Sequence, residues 1–223
     1  MKTAVVIGGS IMGFFAAKVL SQYADQVILL ERDSYPDGPK SRAGTPQARH
    51  GHILLGAGQN ALDQFFPELR GDIQAAGIKT IMWGRDTALL TLGGWLKRVE
   101  TDMLTFACSR LWLEWAIRQR LVTVPGIEIL TETRCTNLLT NAAKTVVTGV
   151  EIEEKNGANR RQIQADLVVD CSGRESKLTD WLTSLGYIAP PEEVIDAHVG
   201  YATRWYKEPP NFKADWLMMG TFP

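Results

Sequence analysis

This sequence lacks the marks of several large protein classes. It has only three cysteines, Cys108, Cys135 and Cys171, far apart and with no Cys-x-x-Cys pair. The odd count and the spacing argue against a disulfide framework or a zinc site and suit a reducing compartment, so a cytoplasmic location is expected. No run approaches the roughly 18 apolar residues of a membrane span, so no transmembrane segment is expected. Charge is balanced, with 24 Lys and Arg against 25 Asp and Glu and a net charge of −1. That leaves no electrostatic footprint for nucleic acid or an anionic membrane. Repeats, low-complexity segments, nucleophile triads and metal clusters are also missing. What remains is a chain of 223 residues with 45% hydrophobic content, enough for one or two domains with a sizeable core.

The most informative stretch is Thr3–Arg32, TAVVIGGSIMGFFAAKVLSQYADQVILLER. Ala4–Ile7 is a short apolar run rich in β-branched residues and predicts a buried strand. Gly8-Gly9-Ser10-Ile11-Met12-Gly13 is a glycine turn, and Phe14–Tyr23 has helical spacing. Val27–Leu30 predicts a second strand ending on Glu31, 23 residues after Gly8. Strand, turn, helix, strand and acidic residue in this order begin a dinucleotide-binding fold. Gly8 lets the chain leave the strand tightly. Position 10 faces a pyrophosphate, position 13 must be small for helix and strand to pack, and Glu31 is placed to accept ribose hydroxyls. Ser10 stands where the pattern has its second glycine. A secretory leader is a competing reading, because Lys2 precedes apolar residues. The interruptions at Gly8, Gly9, Ser10 and Gly13 and the smooth continuation into a second strand argue against it.

A polar loop, Asp33–His52, follows and carries Arg42, Gln47, Arg49, His50 and His52. Its return into Ile53-Leu54-Leu55 suggests an ordered ligand loop, with a solvated surface loop as the bland alternative. Helices are predicted over Gly56–Phe66 and Glu68–Ala76, and strands over Thr80–Trp83, Thr87–Leu92 and Trp95–Val99, with a hairpin at Gly93-Gly94. Cys108–Val122 predicts a helix with Ser109 as N-cap. Arg110 then falls in the first turn, where it opposes the helix dipole and is better explained by an anionic ligand or a carboxylate partner. Strands are expected at Ile127–Leu130, Thr133–Leu139, Val146–Glu154 and Ala165–Asp170, with a hairpin tip at Gly157. Asp170-Cys171-Ser172-Gly173-Arg174 is a turn at a strand's C-terminal edge, where open α/β sheets bind ligands. A helix over Leu178–Leu185 and strands at Val194–Tyr206 and Trp216–Met219 complete the reading.

Four islands now stand in order: Val5–Gly13 with Glu31; Arg42-x-Gly-x-Pro-Gln-x-x-His-x-His; Ser109-Arg110-x-x-x-Glu114; and Ala165-Asp166-Leu-Val-Val-Asp170-x-Ser-Gly-Arg174-x-Ser176. Together they resemble the FAD-dependent oxidoreductases of the para-hydroxybenzoate-hydroxylase-like group, across essentially the whole chain. The resemblance implies an α/β fold: a Rossmann-like FAD-binding domain of the GR2 type over residues 1–80 and 100–188, and an incomplete mixed-sheet substrate domain over 81–99 and 189–223. It implies that Gly8, Gly9, Ser10, Ile11, Met12 and Gly13 hold the FAD pyrophosphate, that Glu31 binds the adenosine ribose, and that Arg32 lies beside the adenine. Arg42 and Gln47 would run along the ribityl chain and flavin, and Arg110 would approach the ribityl phosphate. The Cys135 backbone would meet the adenine, and Asp170, Ser172 and Gly173 would line the cofactor.

The implied chemistry is oxygen transfer from O₂, through a flavin C4a-hydroperoxide, to an aromatic or isoprenoid-like small molecule. His50 and His52 are weak catalytic candidates, since an unpartnered loop histidine is more often structural. The aromatic hydroxylases carry Asp-Gly where this chain has Ser172-Gly173. That puts direct NAD(P)H use in question and leaves NAD(P)H or a separate flavin reductase as electron source. A geranylgeranyl-reductase-like enzyme, a halogenase-like enzyme and an inactive FAD-binding fragment are the alternatives. Members of the group are longer and carry a later Gly-Asp motif, so the chain is expected to be a truncated N-terminal portion or to need a separately encoded C-terminal half.

Overall fold

The structure, a computed structural model, describes residues 1–157 and 159–222. Ala158 and Pro223, inside the expected domain ranges, lie outside the described residues. In chain order the elements are β1 (Thr3–Ile7), α1 (Ile11–Leu20), β2 (Gln26–Leu30), α2 (Gly56–Phe65), α3 (Leu69–Ala75), β3 (Thr80–Met82) and α4 (Trp83–Asp86). They continue with β4 (Thr87–Thr91), β5 (Gly94–Trp95), β6 (Leu104–Phe106), α5 (Arg110–Leu121), β7 (Ile127–Leu130) and β8 (Thr133–Thr140). The last are β9 (Val147–Glu154), β10 (Arg160–Gln164), β11 (Leu167–Asp170), α6 (Leu178–Ser184) and β12 (Met218–Thr221).

The chain divides into two compact units, residues 1–47 with 114–200 and residues 48–113 with 201–223. These bounds put 48–80 and 100–113 in the second unit, whereas the sequence reading grouped them with the dinucleotide turn. Residues 189–200 fall in the first unit.

The first unit is built on a parallel sheet in the order β11-β1-β2-β7. Ala4, Val5, Val6, Val27 and Leu29 are fully buried, as strands covered on both faces must be. Alternation decides which layer each side chain meets. Val5, Ile7, Ile28 and Leu30 pack against Cys135, Leu138, Val150, Ile152 and Ile163 of the antiparallel meander β10-β9-β8. On the other face Val6 points toward α1 at Gly13, and Phe14 and Ala17 of α1 are fully buried. The register pairs Ile7 with both Leu30 and Asp170. Strands β1, β2 and β11 therefore end level, and the loops that leave them open on one edge.

The second unit holds a three-stranded sheet, β12-β4-β5, and a two-stranded one, β3-β6. The β4–β5 hairpin pairs Thr91 with Gly94, so the turn residues are Leu92 and Gly93, one position earlier than the glycine pair suggests. Leu104–Phe106 forms a strand that its three residues gave no period to reveal.

Three expectations are corrected. The strand predicted through Trp83 stops at Met82, where the Asp86 carboxylate accepts the Met82 N–H at 2.8 Å and starts a helical turn instead. The strand predicted over Trp95–Val99 is shortened to Gly94–Trp95, and the Val99 N–H goes to the Gly84 carbonyl. Val194–Tyr206 has no regular structure. Its alternation is real, but a strand needs a hydrogen-bonded neighbour, and none pairs with it among the described residues; Val194 and Ile195 are 82% and 91% exposed.

Candidate functional site

The level ends of β1, β2 and β11 border a cleft of about 600 Å³ within the first unit. The Gly8-Gly9-Ser10 turn forms one wall, Glu31 and Arg32 after β2 another, and Cys171, Ser172 and Arg174 to Lys177 after β11 a third. Thr133, Arg134 and Cys135 of β8, Gly44 and Thr45 of the polar loop, and Trp181 of α6 complete it. Gly8 has φ +98°, and a Cβ there would lie 2.6 Å from the Cys171 carbonyl oxygen, so the turn closes only with glycine. At Gly13 a Cβ would sit 1.8 Å from the Gly8 carbonyl oxygen. That is the close helix–strand approach the third small position exists to permit.

Ser10 is the N-cap of α1, yet its side chain makes no capping bond, and no acidic residue lies in the first turn. The helix N-terminus is thereby kept for another acceptor, as an anion site requires. Arg32, Arg134, Arg174 and Lys177 add positive charge around the same cleft. Glu31, 4% exposed, takes the Gly9 N–H on Oε2 at 3.0 Å and the Asp33 N–H on Oε1 at 2.9 Å. A carboxylate has about four acceptor sites, so Oε1 keeps capacity for a ligand hydroxyl. Uncapped helix, turn, carboxylate and cationic rim together fit a dinucleotide.

Behind the turn lies a buried charge cage. The Arg42 side chain, 7% exposed, sits 3.1 Å from Glu31, 3.0 Å from Asp33 and 3.0 Å from Glu114. Burial works against its charge, and the Glu31 and Glu114 carboxylates outweigh that, holding its pKa above the ordinary arginine value. Tyr35 donates its hydroxyl to the Gly9 carbonyl at 2.7 Å. Its ring lies 5.3 Å from the Arg42 and 4.4 Å from the Arg118 guanidinium carbon. Burial, reinforced by Glu31, raises the Tyr35 pKa, so the phenol stays protonated and donating. Arg118 is lowered by burial, and burial pushes the Cys135 thiol up to about 12, which keeps it an apolar lining group.

Of the residues singled out from sequence, the cleft gathers Gly8, Gly9, Ser10, Glu31, Arg32, Arg42, Cys135 and Ser172. Ile11 and Met12 open α1, and Gly13 packs beneath the turn. Asp170 holds its own turn, accepting the Ser172 N–H at 2.8 Å and the Ser176 hydroxyl, and Gly173 follows with φ +81°. Gln47 is exposed in the short helical turn Pro46–Arg49. Arg110 is the first residue of α5 and half-buried; Ser109 caps that helix through the Trp112 N–H at 3.1 Å. His50 and His52 belong to the second unit, His50 bonded to Thr203 at 2.9 Å and His52 to the His50 carbonyl at 2.9 Å.

Residues that sequence reasoning passed over are Tyr35, Asp33, Thr45, Arg134 and Lys177. Arg134 adjoins Cys135, and Lys177 directly follows the quoted Ala165–Ser176 motif, so both were within reach. Tyr35 carried no signal, since only the folded chain brings it to Gly9.

Comparisons with known proteins agree with this geometry. Residues 4–175 match the family described as FAD dependent oxidoreductase. Protein Rv3254 of Mycobacterium tuberculosis is 34% identical over 220 residues, which cover 95% of this chain and 46% of that protein. The chain therefore spans about half the length of this curated relative. Among solved structures, p-nitrophenol 4-monooxygenase PnpA from Pseudomonas putida DLL-E4 superposes with a TM-score of 0.59 at 20% identity, over 82% of this chain and 44% of that one. The myxobacterial chondrochloren halogenase CndH, described as a variant of FAD-dependent halogenases, gives 0.59 at 16% identity, over 81% and 39%. The flavin-dependent monooxygenase PieE, solved with FAD and substrate, gives 0.58 at 14% identity, over 83% and 32%. At these identities the solved structures speak for the fold: an α/β architecture matching the FAD-binding Rossmann-like domains of flavin monooxygenases. No helix among the described residues is long and apolar enough to cross a membrane. The strand–turn–helix cleft and the match over residues 4–175 lead to one conclusion: the chain belongs to the FAD dependent oxidoreductase family.

Proposed function

We propose that the cleft holds the ADP part of FAD and that the chain supplies the cofactor-binding part of a flavin monooxygenase acting on an aromatic or isoprenoid-like small molecule. The observation that carries the reading is the α1 N-terminus, uncapped by Ser10 and free of first-turn acid, opening with Glu31 onto one cleft. The first-turn N–H groups of Ile11, Met12 and Gly13 would take the pyrophosphate, and Glu31 Oε1 a ribose hydroxyl. Arg32 and the Cys135 backbone would border the adenine. Gln47, Asp170, Ser172 and Gly173 are assigned to the rest of the cofactor. FAD, once bound, supplies the redox chemistry, while the protein orients it and excludes water.

The electron source follows from the same reading. Ser172, in the place of an aspartate, favours a separate flavin reductase over direct NAD(P)H as electron source.

The test is to purify the chain, measure bound flavin by visible absorbance, and follow O₂ uptake with reduced flavin and candidate phenols or polyprenyl compounds. Bound flavin and substrate-dependent O₂ uptake are expected. A colourless chain that takes up no added FAD overturns the reading. Substrate reduction without O₂ uptake replaces the monooxygenase with the reductase, and halide incorporation replaces it with the halogenase.

A further inference from the structure

The Ser10 hydroxyl, where the dinucleotide pattern has glycine, does not cap its own helix. It donates instead to Glu114 Oε2 at 2.9 Å, 104 residues away. The other oxygen of that carboxylate, Oε1, accepts from Arg42 Nε at 3.3 Å and Nη2 at 3.0 Å. One carboxylate on α5 thus bridges the turn and the arginine.

Arg42 has no donor to spare. A guanidinium carries five N–H groups. Nε faces Glu114, Nη2 faces Glu114 and the Gly9 carbonyl at 2.9 Å, and Nη1 faces Asp33 at 3.0 Å and Glu31 at 3.1 Å. Gly9 is held on both sides as well. Its N–H goes to Glu31, and its carbonyl accepts from Arg42 and Tyr35. A Cβ on Gly9 would lie 2.1 Å from the Tyr35 hydroxyl, so the cage and the turn fit only as a pair.

Building on the FAD reading above, we infer that Arg42, Glu114 and Ser10 are positioning residues that preset the Gly8–Ser10 turn, and that Arg42 makes no contact with the ribityl or flavin part of the cofactor. The cage fixes the direction of the turn before the cofactor arrives, so less ordering remains to be done on binding. It also gives the hydroxyl at position 10 a task that glycine could not perform.

The inference separates from direct contact by ligand size. ADP lacks the ribityl chain and the flavin. If Arg42 positions the turn, Arg42→Met weakens ADP and FAD by the same factor, about tenfold, as expected for loss of charge-assisted hydrogen bonds. If Arg42 touches the ribityl or flavin, FAD weakens and ADP does not, and the inference is overturned. A cycle on Ser10→Ala and Glu114→Gln tests the bridge in gentler variants and decides the matter if Arg42→Met fails to fold. Each single change is expected to weaken ADP severalfold, with the double variant no weaker than Glu114→Gln alone. Independent factors that multiply, or unchanged ADP affinity in both single variants, overturn the inference. Wild-type chain that binds neither ADP nor FAD overturns the FAD reading itself, an outcome the control without mutation reports separately.

Discussion

Two regions of the first unit carry dense charge, and they differ in almost every consequence. Arg42 and the three carboxylates around it are 5–17% exposed, and their bonds tie three separate segments to one turn. On the meander, Arg160 pairs with Glu153 at 3.1 Å across neighbouring strands, but the arginine is 78% exposed. Water already solvates the second pair, so making it gains little. The Arg42 cluster has given up its water, so each member depends on the others. The chemistry of the groups is the same. What differs is burial, and burial decides which charges shape a site.

The largest break in this comparison is Arg42→Met. It leaves Glu31, Asp33 and Glu114 without their cation, and urea unfolding should show a loss of about 3–5 kcal/mol, the cost of an uncompensated buried charge. Gly13→Val comes next. Its added carbons overlap the Gly8 carbonyl, so the turn and α1 must separate, with about 1–3 kcal/mol lost to overpacking and FAD affinity lost with the turn. Equal FAD affinity in that variant would contradict the placement of the cofactor.

The parallel sheet and the turn were legible because their constraints are local. Strands buried on both faces read as unbroken apolar runs, and a turn that tolerates no Cβ at positions 8 and 13 must spell glycine. The cage was not legible. Arg42 and Glu114 lie 72 residues apart, and neither carries a period or spacing that names its partner. The Val194–Tyr206 alternation misled for the opposite reason. It states which side chains share a face but not whether a neighbouring strand exists to receive the backbone bonds.

Glu31→Ala sharpens the comparison from the ligand side. Titration with FAD should show a loss of about 1–3 kcal/mol, as for hydrogen bonds to a charged acceptor. Asp166 tests whether an exposed charge can matter when backbone holds it. Its carboxylate accepts the Lys2 N–H at 2.7 Å and the Thr3 N–H at 3.0 Å, and these bonds hold its pKa below the ordinary aspartate value. A depressed folded-state pKa gives stability that is present above the unfolded value near 3.9 and lost as pH falls through the lower folded value. Unfolding midpoints measured down that acid range should fall more steeply for wild type than for Asp166→Asn. The smallest effect is Arg160→Met, expected below about 1 kcal/mol in urea unfolding. A loss as large as that of Arg42→Met would remove the distinction between the two regions.

The most direct test of the central claim is a fluorescence titration of FAD into the wild-type chain beside Gly13→Val. Saturable one-to-one binding by wild type and its loss in the variant is the predicted result. No saturable binding by wild type, or equal binding by both, would contradict a cofactor cleft built on the Gly8–Gly13 turn.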